Sequence, residues 1–200
     1  MSTTQGLFDA DGHVYELDYQ IIDYLDPPFR GKKELLRQPL INSGDGWHRI
    51  ALGVGRGQGG VTSGEITAQH WIDALDQVGL DGTVLHPTLG LNIGSVRDPE
   101  WAVVVARGYN NWLHDKYLKA SPRLNGLAVL PIQNPPEAVK ELRRAITELG
   151  MVGAREVGKV GGEHKSLVAK QLHGEREQFV FELRLEIKPA AFEMFLRRFL

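Results

Sequence analysis

The chain predicts an α/β fold built on a parallel sheet, and three observations carry that reading. Short strand-like runs alternate with amphipathic helical stretches, the order expected of repeated βαβ units. Three of the runs, at Thr83-Val84-Leu85, Leu127-Ala128-Val129-Leu130-Pro131 and Met151-Val152-Gly153-Ala154, are largely apolar, as strands covered on both faces must be. Polar residues gather where the strands end: Asp11 and His13 after the first, His86 after the second, Gln133 after the third. Open doubly wound sheets and (β/α)8 barrels both hold ligands on that rim, and both fit the pattern.

The first element is Leu7-Phe8-Asp9-Ala10-Asp11-Gly12-His13-Val14-Tyr15-Glu16. As a strand it places side chains two apart on one face. Asp9, Asp11 and His13 then share a side, with Phe8 and Ala10 on the other. An oxygen donor and a nitrogen donor side by side at a strand end form a natural half of a divalent-metal site. The same residues also read as a polar turn cornered at Asp11-Gly12. A short helix over 17–25 follows, stopped by Asp26-Pro27-Pro28. The irregular stretch beyond it ends in a glycine cluster, Gly53-Val54-Gly55-Arg56-Gly57-Gln58-Gly59-Gly60. That cluster lacks the G-x-x-x-x-G-K-[ST] order of a phosphate loop and does not open directly into a helix, so it reads as a surface loop of the lid type.

Regular structure resumes at residue 62. Thr62 and Glu65 have the spacing of a capping box, and Ala68, Trp71, Ile72, Leu75 and Val78 recur at helical intervals up to Gly79. Asp98-Pro99 pairs an N-cap with proline at the first helical position, ahead of an apolar stripe at Trp101, Val105, Tyr109, Trp112 and Leu113. Asn134-Pro135 repeats the device, with Ala138, Leu142, Ala145, Ile146 and Leu149 inward and Gly150 at the end.

Composition narrows the function. The chain of 200 residues is 42% hydrophobic and 24% charged, with a formal net charge of −2. That balance supports a sizeable core and argues against a nucleic-acid surface or a polybasic membrane surface. With no cysteine, a metal has only histidine and carboxylate ligands to draw on. No run reaches the roughly 18 apolar residues of a membrane span, and Met1-Ser2-Thr3-Thr4-Gln5-Gly6 lacks the blocks of a secretory signal. The expectation is a cytoplasmic protein acting on a small molecule, with homo-oligomerisation open.

Three motifs resemble one family. Phe8 to Glu16 looks like the opening motif of the metal-dependent amidohydrolase-related ("amidohydrolase 2") group, which includes aromatic-acid decarboxylases. Val84-Leu85-His86-Pro87-Thr88-Leu89-Gly90-Leu91 is similar to its second-strand "PT-x-GL" segment. Arg123 to Pro131, with the helix through Glu141-Leu142-Arg143-Arg144, is similar to its third β/α unit. The resemblance implies a (β/α)8 barrel with a divalent ion, usually zinc, at its mouth. Asp11 and His13 match the first two ligand positions. Glu16 matches the trailing acid of the motif, a residue for substrate, an exposed carboxylate or a helix cap. His86 stands where an aromatic residue, usually Tyr, is expected; it is a candidate catalytic residue or a packed one. Arg30 could meet a substrate carboxylate or serve as a surface charge.

The resemblance runs from about Leu7 to Ala154, so residues 1–154 read as the N-terminal half of a barrel, about four β/α units. Residues 155–200 form a divergent tail without recognisable counterparts of the family's later His and Asp ligands. No Asp occurs beyond Asp115, and five of the seven Phe lie at 179, 181, 192, 195 and 199. His164 and His173 sit in a polar stretch. A one-sided strand at 179–187 and an amphipathic helix at 190–199 are expected to pack against the open side of the half-barrel. The function expected is a metal-dependent hydrolase or decarboxylase of a small carboxylated or cyclic compound, truncated and weakly active or inactive as this chain. The alternatives are a non-catalytic relative that associates with another chain, and a nucleotide-binding module resting on the glycine cluster alone.

Overall fold

A computed structural model describes residues 7–41 and 65–155. Outside them lie Thr62, the glycine cluster at 53–60, His48, His164, His173, and the expected tail strand at 179–187 and helix at 190–199. Four strands form one sheet: β1 (Phe8–His13), β2 (Gly82–His86), β3 (Leu124–Val129) and β4 (Gly153–Arg155). Every neighbouring pair is parallel, and the spatial order is β1-β2-β3-β4. That order separates the two architectures left open by the sequence. A doubly wound sheet reverses its strand order at a switch point, whereas a barrel wall adds each strand beside the last.

Between the strands run α1 (Asp18–Ile21), α2 (Ala68–Val78), α3 (Pro99–Leu113) and α4 (Pro135–Thr147). Local chemistry sets most of their ends. The Asp98 carboxylate accepts from the N–H groups of Glu100 and Trp101 at 2.9 and 3.2 Å, ahead of Pro99, and starts α3. Asn134 caps α4 in the same way, accepting from Glu137 N. Gly79 ends α2 with φ at 74°, a left-handed conformation that a side chain would strain. The start of α2 departs from expectation. Glu65 to Thr67 are not helical, and Thr67 is the cap, its side chain accepting from His70 N. The helix start therefore lies at Thr67, and Glu65, the described half of the Thr62–Glu65 pair, is not helical. In the second stretch, α1 gives way to a 3-10 turn at Ile22–Tyr24 before the two prolines.

The core lies where α3 and α4 cover the sheet. Ala102, Val105, Ala106, Tyr109, Trp112 and Leu113 of α3 are buried, as are Ala138, Leu142, Ala145 and Ile146 of α4. A polar network crosses the same interface. Asn110 of α3 donates to Val129 O and accepts from Val129 N, and it also donates to Glu141 at 2.7 Å. Glu141 is buried and receives a two-pronged hydrogen bond from Arg144, with Arg107 Nη1 3.5 Å away. Arg107 Nε in turn holds Asp26, so the loop after α1 is anchored to α3. Among the described residues, no helix is long and apolar enough to cross a membrane.

Candidate functional site

A bulge shapes the site. Phe8 pairs with Gly82 and Asp9 with Thr83, but Gly12 pairs with Leu85 and His13 with His86. Three steps along β1 therefore match two along β2, and the simple alternation of faces breaks between Asp9 and Gly12. Asp9 accepts from the Thr83 hydroxyl at 2.8 Å and from Asp11 N at 3.0 Å. It stands on the Thr83 face of the sheet, under Trp71 of α2. His13 stands on the other face with His86, and so does Phe8, paired with Gly82. The expected row of Asp9, Asp11 and His13 does not form; the extra residue in β1 removes Asp9 from it.

Asp11 and His13 remain together. His13 Nε2 is 3.8 Å from Asp11 Oδ1, and both are open to solvent, with side chains 38% and 78% exposed respectively. The other ring nitrogen of His13, Nδ1, is 3.2 Å from the Thr88 hydroxyl, just beyond the end of β2. His86 lies against the ring, centroids 5.5 Å apart and planes 27° from parallel. It is 2% exposed, and its Nε2 donates to Ala10 O at 2.9 Å. Its placement is that of a support under His13, bonded to the β1 backbone.

Glu16 lies deeper. It is 1% exposed, and its carboxylate accepts from Thr88 N at 3.1 Å and from Gly90 N at 2.5 Å. Burial opposes the charged form and outweighs these backbone donors, pushing its pKa up to about 7. Gly90 has no room for a side chain there. A Cβ would sit 2.8 Å from Pro87 Cβ and 2.9 Å from Val129 Cγ2. Arg30 is exposed, and its Nε donates to Leu25 O. The Gln133 amide donates to Ile93 O and Val96 O at 2.6 and 2.7 Å, tying the 3-10 segment Leu89–Ser95 to the end of β3. His70 bonds to its own cap Thr67, and His114 to Leu149 O.

A carboxylate and an imidazole, the imidazole's second nitrogen facing a hydroxyl, suit a divalent ion by the chemistry of their donors. They offer two donor atoms. Among the described residues no group of three His, Asp or Glu comes together as a metal site. The sequence pointed to this pair but not to Thr88, whose role depends on a contact across 75 positions.

Comparison with known proteins gives the family and the fold. A family model described as amidohydrolase matches residues 9–170. A gamma-resorcylate decarboxylase from Rhodococcus jostii is 44% identical over 69 residues, 33% of this chain and 21% of that enzyme. Its counterpart from Polaromonas sp. is 35% identical over 83 residues, 40% of this chain and 24% of the enzyme. Among solved structures, the 5-carboxyvanillate decarboxylase of Novosphingobium aromaticivorans, complexed with manganese and 4-hydroxy-3-methoxy-5-nitrobenzoic acid, superimposes with a TM-score of 0.57 at 18% identity. The likeness covers 84% of this chain and 47% of that one. A dihydroxybenzoic acid decarboxylase from Polaromonas sp., with bound manganese and 2-nitroresorcinol, gives 0.51 at 17% identity, over 86% of this chain and 47% of that one. The chain thus spans less than half the length of these solved relatives, and its parallel sheet with helices is part of their (β/α)8 barrel fold. With the family match covering most of its length, the chain belongs to the amidohydrolase family.

Proposed function

We propose that this chain carries the first-strand half of a divalent-metal site in an enzyme that decarboxylates or hydrolyses a small aromatic or cyclic carboxylate. The observation that carries the reading is the Asp11–His13 pair at the carboxyl end of β1, exposed and braced by Thr88 and His86. Support for the substrate class comes from relatives named for gamma-resorcylate and 5-carboxyvanillate decarboxylation. When bound, a divalent ion supplies Lewis acidity toward an oxygen of the substrate or of water. The resemblance in sequence suggests zinc, while the solved relatives hold manganese. An oxygen–nitrogen donor pair accepts either, and manganese is the first to test.

Each residue then has a task. Asp11 and His13 hold the ion, one by charge and one by a neutral nitrogen. His86 supports the His13 ring and keeps it from turning inward. Glu16 acts on the substrate side only through the Thr88–Gly90 backbone that it grips. Arg30, exposed beyond α1, is the proposed partner for a substrate carboxylate, which its fork of donors suits. A second reading, a non-catalytic relative that works by association with another chain, draws support from the ligand count. Catalytic sites usually take three protein ligands, and the described residues bring two together.

The test is metal stoichiometry by elemental analysis after loading with manganese or zinc and dialysis. Asp11→Ala and His13→Ala should each remove the bound ion, and unchanged stoichiometry in both would sink the assignment. Carbon dioxide release from 2,6-dihydroxybenzoate and 5-carboxyvanillate separates the two readings. Metal binding without turnover favours the non-catalytic one.

A further inference from the structure

We propose that Thr88 is the positioning residue for His13. Its hydroxyl accepts the Nδ1–H of the imidazole, fixing the tautomer whose lone pair lies on Nε2, on the side of Asp11. The proposal rests on the reading of His13 as a metal ligand, and it concerns how that ligand is prepared.

Three observations carry it. First, the Nδ1 to Oγ1 distance of 3.2 Å joins residues 75 positions apart, so the contact is made by the fold and not by chain proximity. Second, Thr88 sits in a segment with little freedom. Glu16, buried, takes the N–H of Thr88 with one oxygen and that of Gly90 with the other. Pro87 and Val129 crowd Gly90, and Gln133 ties down the far end of the segment. A hydroxyl carried on such a segment arrives at His13 already placed. Third, the ring is held on its face as well as its edge. His86 stacks on it while bonded to the β1 backbone.

The free side of the ring agrees. At 3.8 Å, Nε2 makes no hydrogen bond to the Asp11 carboxylate, so no acceptor there holds a proton on Nε2. A metal-ligating histidine needs that lone pair and gives its other N–H to an oxygen that orients it. Loss of such a partner typically weakens metal affinity by about 10–100-fold. The reverse arrangement, with Thr88 donating to Nδ1, would put the proton on Nε2 and leave no donor pair facing the solvent.

The decisive readout needs no metal. Imidazole nitrogen NMR on the full chain, above the histidine titration, reports which nitrogen of His13 carries the proton. The resonance is assigned by its loss in His13→Ala. The wild type should show Nδ1–H. Thr88→Ser should keep it, and Thr88→Val should shift His13 toward the Nε2–H form. Calorimetric titration with manganese should then show Thr88→Val weakened by about 10–100-fold and Thr88→Ser close to wild type. A wild-type His13 protonated on Nε2, or a tautomer unmoved by Thr88→Val, overturns the positioning role whatever the metal affinity. A Thr88-dependent tautomer in a chain that binds no manganese upholds the positioning role and refutes the metal reading instead.

Discussion

Replacing Glu16 by glutamine should change how stability depends on pH, not only its size. Glu16 is buried at 1% exposure, and its pKa stands at about 7 against an ordinary 4.5. Burial is the main cause, and the N–H groups of Thr88 and Gly90 offset it only in part. The folded-state value lies above the unfolded one, so the native chain binds more protons in between. Stability from this group is complete below the unfolded pKa and is lost as pH rises through the folded one. At 1.36 kcal/mol per unit, the whole effect is about 3 kcal/mol, of which about 2.5 kcal/mol falls between about pH 5 and pH 8. Glutamine keeps the shape and one acceptor but cannot titrate. Urea denaturation of both proteins across that range isolates the term, because other titrating groups cancel in the difference. The wild type should lose about 2.5 kcal/mol relative to Glu16→Gln as pH rises. Parallel profiles would refute the claim that burial governs this carboxylate.

Two further outcomes follow from the helix layer. Glu141→Ala should cost about 3–5 kcal/mol, since it leaves Arg144, only 16% exposed, without its two-pronged partner. Replacing Glu141 and Arg144 together by leucine should recover much of that loss in urea denaturation; a double variant no better than the single would contradict it. Asp98→Ala should lower stability by about 1 kcal/mol through loss of the α3 cap, read as a shift in the denaturation midpoint.

Local chemistry was legible in the chain. Asp98-Pro99, Asn134-Pro135 and Gly79 mark helix ends because capping uses groups within four residues. Alternating strands and helices signalled a parallel sheet because burial on both faces demands apolar strands. The motif at Asp11 and His13 was visible for the same reason, two donors two residues apart. Where the sequence reading failed, a local rule was overruled from elsewhere. The Thr62–Glu65 spacing obeys the capping pattern, yet Glu65–Thr67 are not helical and α2 begins behind Thr67.

Tertiary structure alone decided the rest. Which strands are neighbours is a relation among segments tens of residues apart, so periodicity left barrel and doubly wound sheet open until the observed β1-β2-β3-β4 order separated them. The bulge in β1 arises from its register against β2, so no periodicity within β1 could show that Asp9 leaves the face of His13. The burial of Glu16 and the meeting of Thr88 with His13 likewise depend on β2 delivering its terminal segment against β1. A carboxylate carries no mark of its own burial; desolvation is a property of the surroundings, and the surroundings of Glu16 come from residues more than 70 positions away.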